Sequence, residues 1–263
     1  MERTGLAQFL DGQTRGAWDG FSITIFASAV LLVLVTLFPS LDLVTARQFY
    51  SGRGHFLGEG NILSYGLRNL FIAFYLVACA VCLAGLVITR DRVRSFLSLG
   101  FMKWLFLALC ISIGPGVVAN LALKDQSGRA RPRDIVEFGG ERSFSAAMIP
   151  SSECGRNCSF VCGESSSIFA LFFAGACLSR RRSQALILAG LALGGAAGLV
   201  RMSQGAHFLS DVVFSGVFMA LSVLALRWLF DAIANAARAE DAAVPPDDLL
   251  DIAALARHEV AAE

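Results

Sequence analysis

Six long apolar runs constrain this chain more than any other feature it has. They cover residues 21–41, 67–89, 99–123, 165–178, 184–200 and 208–230. A helix needs about 20 apolar residues to cross the hydrocarbon core of a bilayer. Inside that core every backbone amide must be satisfied within its own segment or by a closed barrel. The runs therefore predict an all-α polytopic membrane bundle of about six transmembrane helices. The fourth run is short, so it either starts earlier, around Phe160, or ends against protein rather than lipid. Charged residues make up 16% of the chain, against roughly a quarter in soluble domains, and the shortage is concentrated in these runs.

Short loops set the expected orientation. Arg90, Arg92 and Arg94 follow the second run, and Arg180, Arg181 and Arg182 follow the fourth. The positive-inside rule puts both clusters in the cytoplasm. An even helix count then predicts cytoplasmic termini, with loops 42–66, 124–164 and 201–207 facing the periplasm of a bacterial inner membrane. Residues 1–20 mix charges of both signs and show no cleavable leader, so they read as a cytoplasmic segment before helix one. Residues 231–263 carry eight acids against two arginines and read as an acidic cytoplasmic tail. Within it, Leu249, Leu250, Ile252, Ala253 and Leu255 allow a short amphipathic helix, though a solvated tail is the plainer reading.

Loop 124–164 does not fit the charge rule, since it holds six basic residues alongside six acids. Those basic residues make sense if they serve a site. Three segments stand out at helix ends on the same expected face: 124–132, 160–166 and 201–211. Lys124, Arg131 and Arg201 can converge on one anion with several charged donors. Gly163 precedes the fourth helix, where unpaired N–H groups point outward and a glycine lets an oxyanion approach. His207 and Asp211 are four residues apart and share a helix face. That spacing lets the carboxylate hold one ring nitrogen and leaves the other free to attack. Asp211 also opens an apolar run, where an acid is costly. Each piece alone has a plainer reading: a boundary Lys or Arg is usually a snorkelling anchor, and a lone His-x-x-x-Asp pair can be a cap. Their joint occurrence, in order and on one face, is the stronger signal.

These segments resemble the type 2 phosphatidic acid phosphatase family, relatives of the vanadium haloperoxidases. Its signature runs Lys-x6-Arg-Pro, then Pro-Ser-Gly-His, then Ser-Arg-x5-His-x3-Asp. Lys124 and Arg131-Pro132 match the first part in spacing; Arg201, His207 and Asp211 match the third, with Val200 in place of the Ser. The resemblance spans residues 21–230. It implies that His207 is a nucleophile forming a phosphohistidine, that Asp211 orients it, and that Lys124, Arg131, Arg201, Cys162 and Gly163 bind the phosphoryl oxygens. It implies no metal and no cofactor.

The middle segment departs from the family. Val161-Cys162-Gly163-Glu164 stands where Pro-Ser-Gly-His is expected, and the remaining histidines, His55 and His258, lie elsewhere. Glu164 must then protonate the leaving oxygen, or that function is lost. The Cys-Gly-Glu segment and the 128–133 stretch resemble a bacterial subgroup of lipid A phosphatases. The expected partner is thus a membrane lipid carrying a phosphomonoester or diphosphate, with undecaprenyl diphosphate and phosphatidylglycerol phosphate as rivals. The missing histidine keeps a non-catalytic lipid-phosphate binder or transporter in play. Net charge of +1 argues against nucleic acid, and nothing points to an obligate protein partner. Among seven cysteines none has metal-site spacing; Cys154 and Cys158 can close a small disulfide loop, with Cys162 as a competing partner.

Overall fold

The computed structural model describes residues 16–91, 93–179 and 181–242. The expected tail helix around Leu249–Leu255, most of the N-terminal segment, Arg92, Arg180 and His258 lie outside them. The described residues are helical and form no strand, only isolated bridges. Helix α1 is Gly16–Leu37 and α2 is Ser40–Arg47. Helices α3 (Ile62–Ile88) and α4 (Phe101–Ser112) follow, and α4 continues as a π-helix over Ile113–Lys124. Then come α5 (Gly163–Leu178), α6 (Ser183–Ser203) and α7 (Leu209–Ala242).

Four of these are long and apolar enough to cross a membrane: Ile62–Ile88, Phe101–Lys124, Ser183–Ser203 and Leu209–Ala237. The first run makes a fifth only as a bent pair, turning 89° between Ile25–Leu37 and Ser40–Arg47. Pro39 at that bend cannot donate a helical hydrogen bond, and its ring stops the first helix. The fourth run is the short α5, which begins at Gly163. Two boundaries shift outward. Helix α3 starts five residues before the apolar run at 67, with Asn61 capping the N–H groups of Leu63 and Ser64. Helix α7 continues to Ala242, past the expected start of the tail at 231, and Arg227 pairs with Asp231 across that point.

Helix α7 is central and α3 peripheral: 56% of the apolar window of α7 is buried, against 11% for α3. The outward side chains of α3, such as Leu70, Leu76, Leu83 and Val87, are those expected of a lipid-facing helix. Helices α5 and α6 approach closely at Gly190 and Gly194, where a Cβ would lie under 3 Å from Phe172 and Phe169. One turn on, a Cβ on Gly198 would lie under 3 Å from Val212 of α7. The π-helix begins around Gly114-Pro115-Gly116, where Pro115 removes one donor and Asn120 Nδ2 donates to the Pro115 carbonyl at 2.8 Å. Above the bundle, loops 42–66 and 124–164 form a cap with its own core of Ala46, Phe56, Ala130, Ile135, Phe138 and Phe208.

Candidate active site

The three segments picked out in the sequence come together where the cap meets the bundle. Lys124 ends the π-helix, and Gly163 and Glu164 open α5. Arg201 lies in the last turn of α6. The turn to α7 is made at Gly205 (φ +60°), where a Cβ would strike the Phe56 ring. His207 follows this turn, and Asp211 lies in the first turn of α7. Lys124, Arg131, Glu164 and Arg201 line one cavity of about 520 Å³. A Cβ on Gly163 would lie 3.3 Å from Lys124 Nζ, so the lysine faces the start of α5.

His207 is buried, yet its Nε2 has no hydrogen-bond partner among the described residues. Its Nδ1 lies 2.6 Å from the Ser159 carbonyl oxygen and 3.6 Å from Asp211 Oδ2. The carbonyl can only accept, so Nδ1 carries a proton, and in the neutral ring the lone pair is on Nε2. Burial alone would push the imidazole down. The facing Cys162 sulfur and the Asp211 carboxylate outweigh it and hold His207 above its ordinary value. Burial would likewise raise the Cys162 thiol, but His207 pulls it below the ordinary thiol range.

Asp211 meets the imidazole at 3.6 Å and also through Ser159 as an intermediary. Ser159 Oγ and the Phe208 N–H donate to Asp211 Oδ2, and Arg129 donates to Oδ1. Arg129 is 1% exposed and was not among the expected site residues. Its other amino group donates to Asp42 Oδ2 at 2.7 Å, and its Nε to the Ser145 carbonyl at 2.9 Å. Its guanidinium lies 4.3 Å from the Phe208 ring centroid. Asp42 accepts from the Ser210 N–H and hydroxyl at 2.8 and 2.6 Å. Signals for these residues are present but faint. Arg129 is one of four arginines between Gly128 and Arg142, and Asp42 is the acid just past the first apolar run.

Glu164 shows a second unforeseen partner. Arg68 Nε donates to Glu164 Oε1 at 2.8 Å, and Arg201 Nε lies 3.2 Å from the same oxygen without a hydrogen bond. Arg68 sits second in an apolar run, the same cue that marked Asp211. Arg201 also donates to Gln204, which in turn reaches Ser64. Arg131 donates to the Asn157 carbonyl at 2.7 Å. Its own affinity for a proton is lowered by burial and then by the neighbouring Arg133 and Arg201 charges. Asn157 belongs to a small loop closed by a Cys154–Cys158 disulfide, so Cys162 stays a free thiol. Cys162, Glu164 and His207 offer ligand atoms within 4.8 Å of one another. Lys124, Arg131 and Arg201 surround them, and Glu164 is already engaged by guanidinium, so the environment suits an anion better than a cation.

A helical membrane bundle with an unpartnered imidazole nitrogen beside a cationic cavity defines the class. The model of the PAP2 superfamily matches residues 103–234. A lipid A 4′-phosphatase of Francisella tularensis subsp. novicida (strain U112) is 37% identical over 210 residues, covering 77% of this chain and 90% of that one. A lipid A 4′-phosphatase of Rhizobium leguminosarum is 31% identical over 202 residues, covering 70% and 84%. No solved structure matches. The chain belongs to the PAP2 superfamily and is a phosphatase. Asp42 and Arg68 precede the matched residues, so the match alone does not point to them.

Proposed function

We propose that this phosphatase removes a phosphate from a lipid A-type glycolipid, at the 4′ position named for its relatives, on the periplasmic face of a bacterial inner membrane. The observation that carries the reading is the bare, buried Nε2 of His207 beside the Lys124–Arg131–Arg201 cluster. The Nε2 lone pair attacks phosphorus, the sugar oxygen leaves, and a phosphohistidine forms on Nε2. Water then attacks this intermediate and releases inorganic phosphate. The proton on Nδ1 stays hydrogen-bonded to the Ser159 carbonyl, so the ring presents the correct nitrogen. Lys124, Arg131, Arg201 and the Gly163 N–H neutralise the equatorial oxygens.

Glu164 supplies the proton to the leaving oxygen. Bonded to Arg68 and facing Arg201, it rests as a carboxylate. An incoming phosphate competes for Arg201 and adds negative charge beside it, and both effects favour a proton on Glu164. The lipid substrate and the periplasmic placement draw support from the apolar helices, the arginine-rich loops on the opposite face and the relatives' names.

The test is phosphate release by purified protein from lipid A, phosphatidylglycerol phosphate and undecaprenyl diphosphate presented in the same micelles. Mass spectrometry of the product assigns the position lost. Release from lipid A at 4′, well above the other two, is expected. Binding without release from any of the three would make the protein a lipid-phosphate carrier and overturn the reading.

A further inference from the structure

The cavity carries more positive charge than one phosphate requires. Six cations line it, namely Arg68, Lys124, Arg131, Arg133, Arg156 and Arg201, against the carboxylates of Asp134 and Glu164. Arg68 is committed to Glu164. Lys124, Arg131 and Arg201 already answer a phosphoryl group of charge up to about −2. That leaves Arg133 and Arg156, which line the same cavity and are both exposed. Arg133 is exposed and its one ion pair, to Asp134, is loose at 3.8 Å. Arg156 is exposed, and no carboxylate of the described residues lies within 4 Å of it. It sits in the loop closed by the Cys154–Cys158 disulfide, whose Asn157 carbonyl also accepts from Arg131. One closed loop thus positions a phosphate-binding arginine and a free one together. Arg133 lies near enough to Arg131 for its charge to weigh on it. Gathering guanidinium groups at one rim is unfavourable unless an anion answers them.

We infer that Arg133 and Arg156 form a second anion subsite, which takes a further acidic group of the same headgroup beside the phosphate being removed. The preferred substrate is then a sugar headgroup with two acidic substituents, phosphate or carboxylate, rather than a simple phosphomonoester. Planar guanidinium forks suit either group. This rests on the lipid-phosphatase reading only for the headgroup being that of a lipid, and the experiment measures binding directly, so it is read whether or not lipid is hydrolysed.

Detergent-purified full-length His207→Ala protein, unable to turn over its ligand, is titrated calorimetrically with glucose 6-phosphate and with glucose 1,6-bisphosphate. The titrations use about 0.3 M salt, where long-range fields are largely screened. The bisphosphate should bind about tenfold more tightly, the scale of two exposed ion pairs. Arg133→Gln/Arg156→Gln should bring the ratio close to one while changing monophosphate binding less than about threefold. Arg156→Gln alone should remove about half of the advantage on a logarithmic scale, which guards against a double variant that fails to fold. Arg142→Gln, the same charge loss on the same loop but outside the cavity, should leave the ratio unchanged. Three results overturn the subsite: equal binding of the two sugars by the His207→Ala protein, a ratio kept in the double variant, or an equal fall with Arg142→Gln, which would mark a diffuse field.

Discussion

The two sides of His207 are built on opposite rules. On one side, Asp211, Arg129, Asp42, Ser159 and Ser210 are all buried and bonded to one another, so that two carboxylates share one guanidinium. On the other side, Glu164, Arg201, Lys124 and Arg131 face a cavity, and Arg201 Nε and His207 Nε2 are left without hydrogen bonds among the described residues. A buried polar network pays a desolvation cost and gives geometric definition when every member is satisfied. An open set of cations does the reverse: its groups are strained by mutual repulsion and settle only when an anion arrives. The closed side fixes the imidazole, and on the proposed function the open side is where phosphate binds. Substitutions on the closed side should therefore damage stability along with rate, and those on the open side rate alone.

The largest effect belongs to the residue between the two. His207→Ala should lower kcat by more than about a thousandfold, the scale of losing a nucleophile, and, because the ring is buried and bonded to Ser159, it should lower the melting temperature as well. Rapid-quench labelling with a radioactive phosphomonoester should show an acid-labile phosphoprotein in the wild type and none in the variant. Residual activity above about a tenth would end the covalent scheme.

Next is the closed side. Arg129→Gln leaves Asp42 and Asp211 as two uncompensated buried carboxylates. Breaking such a pair by removing one partner costs about 3–5 kcal/mol, which a thermal melt in detergent would register as a large drop. A variant as stable as wild type, with only its rate changed, would show that Arg129 reaches substrate and that the two sides are not separate.

How far the sequence revealed each side follows from this difference. The open side was legible, because Lys124, Arg131 and Arg201 are charged residues in a spacing the chemistry demands, and His207 and Asp211 complete that pattern. The closed side, beyond Asp211 itself, was not. Arg129 and Asp42 lie 87 positions apart, and only the bend at Pro39 brings α2 over the start of α7. Arg68 was hidden in the same way, 96 positions from Glu164. The helical class and the number of apolar elements were readable because bilayer thickness fixes run length. Where helices end was less so: α3 begins at a cap, Asn61, and α7 runs on through a polar stretch steadied by the Arg227–Asp231 pair, neither of which apolarity records.

On the open side, Glu164→Gln should lower kcat by about a hundredfold, the usual scale for a general acid, without a matching loss of stability. The loss should shrink for an aryl phosphate, whose leaving group needs little protonation. A uniform loss across leaving groups would instead assign Glu164 to holding Arg68 and Arg201 in place.

The smallest effect, and the sharpest on the boundary between the two sides, comes from Cys162→Ser. The exchange restores the hydroxyl found at this position in the family's Pro-Ser-Gly-His segment and removes a group that can carry negative charge. Burial pulls the His207 pKa down, and the Cys162 sulfur is the first of the groups that push it above the ordinary 6.5. Without the sulfur, Asp211 still opposes burial, so the pKa should fall without collapsing. The attacking imidazole must be neutral, so kcat/KM is lost as pH drops through that pKa in the free enzyme. The acid limb of the profile should therefore move to lower pH in Cys162→Ser. The variant should outperform wild type, relative to each one's own plateau, near pH 6. The plateau at alkaline pH should change by no more than a few fold, since nothing on the closed side is touched. If His207 instead acted as a proton donor, activity would need the charged ring, and the same fall in pKa would draw the alkaline limb downward. An acid limb that stays in place would show that Cys162 does not govern the nucleophile and that the closed side alone sets its charge.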